Sequence, residues 1–293
     1  MTKFLNATLA VTGASGNLGR RTVELLLEAG ATHIVALTRT PGKLADLAGR
    51  GVDVRAMSFD EPGTLPAAFA GVDRLLIIST DALETRTAQQ AGAIAAAEKA
   101  GVNHILYTSV TSPYPDPTSP VPDSHFWTET RLASGSTNWT FLRNNQYTDY
   151  LIPAAQHAIA GGTLFHAAGS GRRAYVTRED CAAAAAGALL NAEGKRIYDV
   201  SGPQSVSMDE LAGLIADISG KAVRAQNIPA ADLVSGYVGG GVPETMARLL
   251  TRFDTDAAQG YIGITTNAVA DLAGRAPQSV AAYLAANRGA LLG

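Results

Sequence analysis

The feature that most constrains this chain lies near its start. A short apolar run, Thr8-Leu-Ala-Val-Thr12, ends in Gly13-Ala-Ser-Gly-Asn-Leu-Gly19, and the amphipathic stretch Arg20-Arg-Thr-Val-Glu-Leu-Leu-Leu27 follows at once. Glycines at i, i+3 and i+6 between a strand and a helix divide the labour: Gly13 permits the tight turn, Gly16 lets a pyrophosphate reach the backbone, and Gly19 lets the helix lie close to the sheet. Ser15, Asn17 and Leu18 fill the intervening positions, and the amides at the helix start face the anion. A glycine triplet alone fits any strand-to-helix turn. Placed after the first strand, at the mouth of the first helix and ahead of a second strand, it predicts dinucleotide binding.

The rest of the first half keeps the same rhythm. Apolar runs at Ile34–Thr38, Val52–Ala56, Arg74–Ile78 and Ile105–Ser109 read as strands, and Leu18–Ala29, Gly42–Leu47, Leu65–Ala70 and Ala82–Ala100 as helices between them. Strands alternating with helices imply right-handed crossovers and a parallel sheet covered on both faces, with ligands outside the carboxyl ends of the strands. The expected fold class is α/β, a doubly wound Rossmann domain.

An acidic residue at the end of the second strand would hold the ribose 2′-hydroxyl of NAD. Here the chain reads Ala36-Leu-Thr-Arg-Thr-Pro-Gly-Lys43, with no carboxylate between Glu28 and Asp46. A guanidinium at Arg39 offers a planar donor fork for a 2′-phosphate, with Lys43 adding charge, so NADP is the expected cofactor.

Beyond residue 110 the regular alternation stops. Ser112-Pro-Tyr-Pro-Asp-Pro-Thr-Ser-Pro-Val-Pro122 carries five prolines and is expected as a loop over the carboxyl edge, followed by a helix from about Ser124 and a strand at Trp139–Leu142. A helix from Tyr147 to Ala160 comes next. Short strands (Thr163–His166, Arg173–Val176, Arg196–Val200) then alternate with helices starting near Asp180, Met208, Pro229, Pro243 and Pro277. The expected division is a cofactor domain over 1–150, with strands contributed from about 173–200, and a smaller mixed α/β substrate lobe over 151–293.

Composition removes several other classes. Lys and Arg number 23 against 26 Asp and Glu, a net charge of −3, and the basic residues are scattered, which leaves nucleic acid without a basic surface. Cys181 is the only cysteine, so there is no internal disulfide or multi-cysteine metal site, and the five histidines show no metal-ligand spacing. The longest apolar run is far short of the roughly 20 residues that cross a bilayer. The start Met1-Thr2-Lys3 leads almost directly into a strand, and the expectation is a cytoplasmic protein, a monomer or homodimer, with no metal and no membrane partner.

Taken together, Thr12–Gly19, Leu37-Thr-Arg39, Leu76-Ile-Ile-Ser-Thr80, Tyr107-Thr-Ser109, His125 with Thr128-Glu129, Thr140-Phe-Leu-Arg-Asn144 with Tyr147-Thr-Asp149, and Gly241-Val-Pro243 resemble the NmrA-like atypical short-chain dehydrogenase/reductases, in particular the NADPH:quinone oxidoreductase and triphenylmethane reductase type. The resemblance implies that Phe59 and Asp60 flank the adenine, that Ser79 and Thr80 lie along the cofactor, that Thr108 and Ser109 approach the nicotinamide ribose, and that Asn144 completes that end. Ser79 and Thr80 also suit a cap for a helix beginning near Asp81.

The chain departs from the standard dehydrogenases in one respect. None of its five lysines lies four residues after a tyrosine, so the Tyr-x-x-x-Lys pair is missing, and the stretch after the fifth strand reads Thr128-Glu-Thr-Arg131 where relatives often carry a lysine. His125, at i to i+4 spacing from Glu129, is the remaining candidate for proton work, with a structural hydrogen-bonding role as the alternative. Tyr147 and Tyr150 are candidate donors to a carbonyl, or else packing residues of the lobe. The expected function is NADPH-dependent hydride transfer to a quinone-like, electron-poor acceptor. The rival is an NADP-sensing regulator that binds a protein partner without turnover.

Overall fold

The computed structural model describes residues 2–293. The chain runs through β1 (Thr8–Val11), α1 (Asn17–Glu28), β2 (His33–Thr38), α2 (Ala45–Ala48), β3 (Asp53–Ala56), α3 (Leu65–Phe69), β4 (Arg74–Ile77), α4 (Arg86–Lys99), β5 (His104–Val110), α5 (Pro120–Ala133) and β6 (Asn138–Asn144). It continues through α6 (Leu151–Gly161), β7 (Thr163–His166), β8 (Arg172–Arg173), α7 (Arg178–Asn191), β9 (Arg196–Val200), β10 (Val206–Ser207), α8 (Met208–Ser219) and β11 (Arg224–Asn227). The last helices are α9 (Ala230–Gly239), α10 (Glu244–Ala258), α11 (Ala268–Ala273), α12 (Val280–Ala286) and α13 (Arg288–Leu292). Two compact units result: Met1–Asn144 with Arg178–Val200 and Ala268–Arg275, and Asn145–Thr177 with Ser201–Asn267 and Ala276–Gly293.

The first unit is built on a seven-stranded sheet in the order β3-β2-β1-β4-β5-β6-β9, every pair parallel. The order reverses beside β1, which is where a doubly wound sheet opens a crevice outside its carboxyl ends. One face is filled by Leu75, Ile77, Ile105, Tyr107 and Phe141 against Phe69 of α3 and Ala93, Ile94 and Ala97 of α4. Along α7, every residue from Asp180 to Leu190 is buried. Small side chains make that possible: a Cβ on Gly187 would fall 2.6 Å from the carbonyl carbon of Leu272 in α11.

Arg74 of β4, only 4% exposed, turns its guanidinium onto the carboxyl end of α7. It donates to the carbonyls of Leu189 (2.7 Å), Ala188 (3.2 Å) and Ala192 (2.7 Å), and the Phe4 ring lies 4.0 Å away. The Ala188 carbonyl also takes the Ala192 amide (2.9 Å), the Leu189 and Ala192 carbonyls lie past that last helical bond, and a cation there is favoured by the helix dipole. Burial pulls the Arg74 pKa down to about 10.

Next to it, His104 contacts Arg74 through Nδ1 (3.4 Å) and Thr140 through Nε2 (2.8 Å), and burial followed by the Arg74 charge lowers its pKa to about 4. Neutral in the fold, this imidazole takes up a proton only on unfolding between its ordinary value near 6.5 and about 4. Stability is therefore expected to fall as pH drops through that window, by about 2 kcal/mol at pH 5 from this residue. Denaturant titrations at pH 7 and pH 5 measure it, and His104→Gln should flatten the slope.

The second unit holds two small sheets, β7 with β11 (parallel) and β8 with β10 (antiparallel). Its core joins Leu151 and Ala155 of α6, Leu211 and Ile215 of α8, Leu284 of α12 and Leu291 of α13. A buried ion pair, Arg173 with Asp254, sits within it, and Asp254 also accepts from the Ala167 amide (3.0 Å). The α8 start carries a capping box, Ser207 and Glu210 bonding each other's backbone amides.

Several sequence expectations are corrected. Helix α5 begins at Pro120, inside the proline run, because a first-turn residue needs no N–H and proline's φ is already helical. The 82–85 stretch is a turn, with Thr85 N and Arg86 N donating to the Ala82 carbonyl, and α4 starts only at Arg86. Ser79 and Thr80 therefore cap nothing. Of the 173–200 region, β9 alone joins the large sheet. The Arg173–Val176 run does not, because its backbone is taken up by Ile262 and Gln146.

Candidate functional site

The residues singled out after β1 form a cradle in the first unit. Gly13 has φ +60, a left-handed conformation that favours glycine. The Ala14 amide donates to the Leu37 carbonyl (3.0 Å) and the Gly16 amide to that of Gly13 (2.9 Å), so the loop is held against β2 by its own backbone. A Cβ on Gly19 would lie 2.8 Å from the Gly13 carbonyl carbon and 3.0 Å from the Ala14 Cα, which accounts for the third glycine. Gly16 is the N-cap of the 12-residue α1, with no side-chain cap and no acidic residue in the first turn. Its leading amides are thus unclaimed by helix or side chain, and the positive end of the helix stands open.

At the end of β2 the Thr38 hydroxyl donates to Ser15 Oγ (2.9 Å), tying the glycine loop to the strand that carries Arg39. Arg39 is exposed. The nearest downstream carboxylate, Asp46, is engaged by Arg20, which also bonds Glu24 (3.1 Å). Among the described residues no carboxylate pairs with Arg39 or Lys43, and this end of the sheet carries uncompensated positive charge.

The remaining candidates lie at the carboxyl ends of the sheet strands, Phe59 and Asp60 after β3, Ser79 and Thr80 after β4, Thr108 and Ser109 near the end of β5, and Asn144 as the final residue of β6. Phe59 rests against the apolar core, and Asp60 Oδ1 accepts from Gln89 Nε2 (2.6 Å). The Ile78 amide donates to Thr12 Oγ1 (2.8 Å) and the Ser79 amide to Thr108 Oγ1 (2.9 Å), so side chains of β1 and β5 hold the segment after β4. The Thr80 hydroxyl donates to Gln89 Oε1 (2.8 Å), and Arg86 Nε donates to the Thr80 carbonyl (2.7 Å). Ser109 is 4% exposed and its Oγ has no partner. A buried hydroxyl is ordinarily bonded, so an orphan at the end of β5 fits a missing polar ligand. Asn144, also buried, is aligned with Val110 in the β5–β6 ladder.

His125 does not meet Glu129. The Glu129 carboxylate instead takes a bidentate pair from Arg143 of β6 (2.9 and 2.6 Å). His125 Nε2 lies 3.4 Å from Arg86 Nη1, and Nδ1 lies 2.6 Å from the Tyr107 hydroxyl. Arginine only donates, so Nε2 accepts, Nδ1–H donates to Tyr107, and the ring is neutral. Burial, with the Arg86 charge second, holds its pKa well below the ordinary value, and burial likewise lifts that of Tyr107. His125 is 5% exposed, with both ring nitrogens engaged by these contacts. The structure replaces the expected Glu129-oriented acid with a Glu129–Arg143 ion pair, because Arg143 supplies two parallel donors.

Tyr147 belongs to the second unit, where it bridges Val176 and its ring stacks on Tyr150, with centroids 6.1 Å apart. Arg86 and Gln89 are not marked out by any sequence motif. Their only signal in the sequence is polar character at the start of a helix, and that says nothing about what they touch.

The profile of the NAD(P)H-binding family matches residues 13–192. Quinone oxidoreductase 2 of Escherichia coli is 34% identical over 276 residues, covering 93% of this chain and 96% of that protein. The crystal structure of an NADPH-dependent quinone oxidoreductase from E. coli complexed with NADPH superposes with a TM-score of 0.89 at 32% identity, covering 97% of this chain and all of that one. The Citrobacter sp. triphenylmethane reductase complexed with NADP(H) gives 0.86 at 32% identity, covering 94% and 99%. Among the described residues no helix is long and apolar enough to cross a membrane.

Proposed function

The chain belongs to the NAD(P)H-binding family, in its NmrA-like branch, and from that premise we propose that it is an NADPH-dependent reductase acting on a quinone or a similar planar, electron-poor acceptor. One observation carries this reading most of the way: the open glycine cradle at the head of α1 stands beside a β2 end that carries Arg39 and no carboxylate. The names of its relatives, a quinone oxidoreductase and a triphenylmethane reductase, support the acceptor class.

In this reading the Asn17 and Leu18 amides at the head of α1 receive the pyrophosphate, Arg39 with Lys43 receives the 2′-phosphate, and Phe59 and Asp60 flank the adenine. Ser79, Thr80, Thr108, Ser109 and Asn144 line the remainder, with the Ser109 hydroxyl supplied with its missing partner. Bound NADPH supplies the hydride. The protein contributes position and exclusion of water, and Tyr147 is the candidate donor to the acceptor's oxygen. A reduced quinone leaves as a stabilised phenolate that solvent can protonate, so a missing Tyr-Lys pair and a neutral, buried His125 are compatible with turnover. The second unit is assigned the substrate lobe.

The test is direct: NADPH absorbance should fall when benzoquinone is added to the purified protein. Tight NADPH binding with no consumption by any quinone or dye would instead favour a cofactor-sensing regulator. Arg39→Ala should weaken NADPH about ten- to a hundredfold, the scale of a hydrogen bond to a charged group, and leave NADH nearly unchanged. Equal losses measured for the two cofactors by fluorescence titration would show that Arg39 does not read the phosphate.

A further inference from the structure

We propose that Arg86 and Gln89, on the first turn of α4, are positioning residues that set the geometry of the cofactor site through Thr80 and Asp60. The inference rests on the cofactor reading above and extends it to two side chains outside the expected contact set.

The segment after β4 has left the ladder, and a free loop of that kind is ordinarily mobile. Here it is pinned at three consecutive residues. Thr12 Oγ1 holds the Ile78 amide and Thr108 Oγ1 the Ser79 amide, while α4 takes the carbonyl of Thr80 by Arg86 Nε (2.7 Å) and its hydroxyl by Gln89 Oε1 (2.8 Å). A trans peptide points its C=O and N–H in opposite directions. Drawing the Thr80 carbonyl toward Arg86 therefore turns the Asp81 N–H away from α4. Among the described residues the Thr80 and Asp81 amides have no hydrogen-bond partner. Two adjacent donors are left in a fixed orientation at the carboxyl edge of the sheet, where an anionic or amide-bearing ligand is received.

Gln89 extends the same device. Its Oε1 accepts from Thr80 while its Nε2 donates to Asp60 (2.6 Å), so one side chain joins the loop after β3 to the loop after β4. These two loops are assigned to different parts of the cofactor, and Gln89 fixes the spacing between them. Arg86 has a further property. It is 6% exposed, and its hydrogen-bond contacts are the Thr80 carbonyl, Ser124 Oγ (3.3 Å) and the neutral His125 ring, while the one carboxylate that acts on it, Asp81, does so through its field alone. Burial lowers the Arg86 pKa despite the Asp81 charge, and a buried guanidinium with no directly bonded carboxylate is unfavourable for stability alone. It also sets a positive potential beneath the loop, which favours an anionic ligand above it.

The experiment measures dissociation constants of NADPH and of adenosine 2′,5′-bisphosphate, a probe that lacks the nicotinamide half, for the full chain and for Arg86→Met, Arg86→Lys and Gln89→Leu. Arg86→Met should weaken NADPH about tenfold or more and the bisphosphate by less than about threefold, because the loss falls on the loop after β4. Arg86→Lys, which keeps the charge and one donor, should recover part of the NADPH affinity. Gln89→Leu, at a half-buried position, should weaken NADPH about five- to twentyfold while the melting temperature stays close to that of the parent, and it decides the matter if Arg86→Met does not fold. Unchanged NADPH affinity in Gln89→Leu, or equal losses of both ligands in Arg86→Met, would overturn the proposal. Failure of the parent protein to bind either ligand would overturn the cofactor reading itself and this proposal with it.

Discussion

Gly19→Val is expected to raise the NADPH dissociation constant more than about a hundredfold, because a displacement near 1 Å in a positioned site costs on that scale. The cause is local. A Cβ at residue 19 would fall 2.8 Å from the Gly13 carbonyl carbon and 3.0 Å from the Ala14 Cα, both backbone atoms that no side-chain rotation can move. Either the loop rises or α1 tilts away from it. Both open the cradle, since the loop is otherwise fixed by the Ala14–Leu37 and Gly16–Gly13 hydrogen bonds. Overpacking of this kind costs about 1–3 kcal/mol of stability, so the chain should still fold. Circular dichroism with fluorescence titration of NADPH separates the two effects, and near-parental affinity in a folded Gly19→Val protein would remove the pyrophosphate from the glycine loop.

Arg74→Met is expected to be the most destabilising single change considered, by about 3–5 kcal/mol, the range for removing one member of a buried polar set and leaving its partners unsatisfied. Methionine preserves much of the volume but none of the donors. The Leu189 and Ala192 carbonyls would lose the guanidinium in a site only 4% exposed at Arg74, while that of Ala188 keeps the Ala192 amide. Arg74→Lys should lose less, since one ammonium can still reach some of those oxygens, but cannot match the planar fork. Equilibrium urea unfolding measures both. A loss under about 1 kcal/mol for the methionine variant would mean that water takes over the α7 carbonyls.

Sequence reading reached furthest where local pattern and tertiary role coincide. The glycine loop and the strands β1, β2, β4 and β5 are legible because a strand covered on both faces must be a short apolar run, whereas β3, at the sheet edge, has no buried residue. The end of β2 is equally legible, because the missing carboxylate is a local fact. What failed depended on partners distant in the chain. Spacing placed Glu129 one turn from His125, yet Arg143 on β6 and Tyr107 on β5 claim the two residues separately. The proline run concealed the start of α5, since Pro120 reads as a breaker unless it occupies the first turn. Nothing near residue 268 announces that α11 returns to the first unit, because the cause is the space left by Gly187 on α7. Arg86 and Gln89 escaped for the same reason: their importance lies in Thr80 and Asp60, which the turn of the chain brings to them.

In the proposed reaction NADPH gives its hydride to the acceptor directly, with the protein supplying geometry and no redox group of its own. The most direct test is anaerobic turnover of the purified protein with NADPH and benzoquinone, following quinol formation, NADPH loss and paramagnetic resonance together. The account predicts one quinol formed for each NADPH consumed, no quinone radical signal, a colourless protein before and after, and no effect of chelators. A radical signal, a bound flavin, or loss of activity on chelation would contradict it.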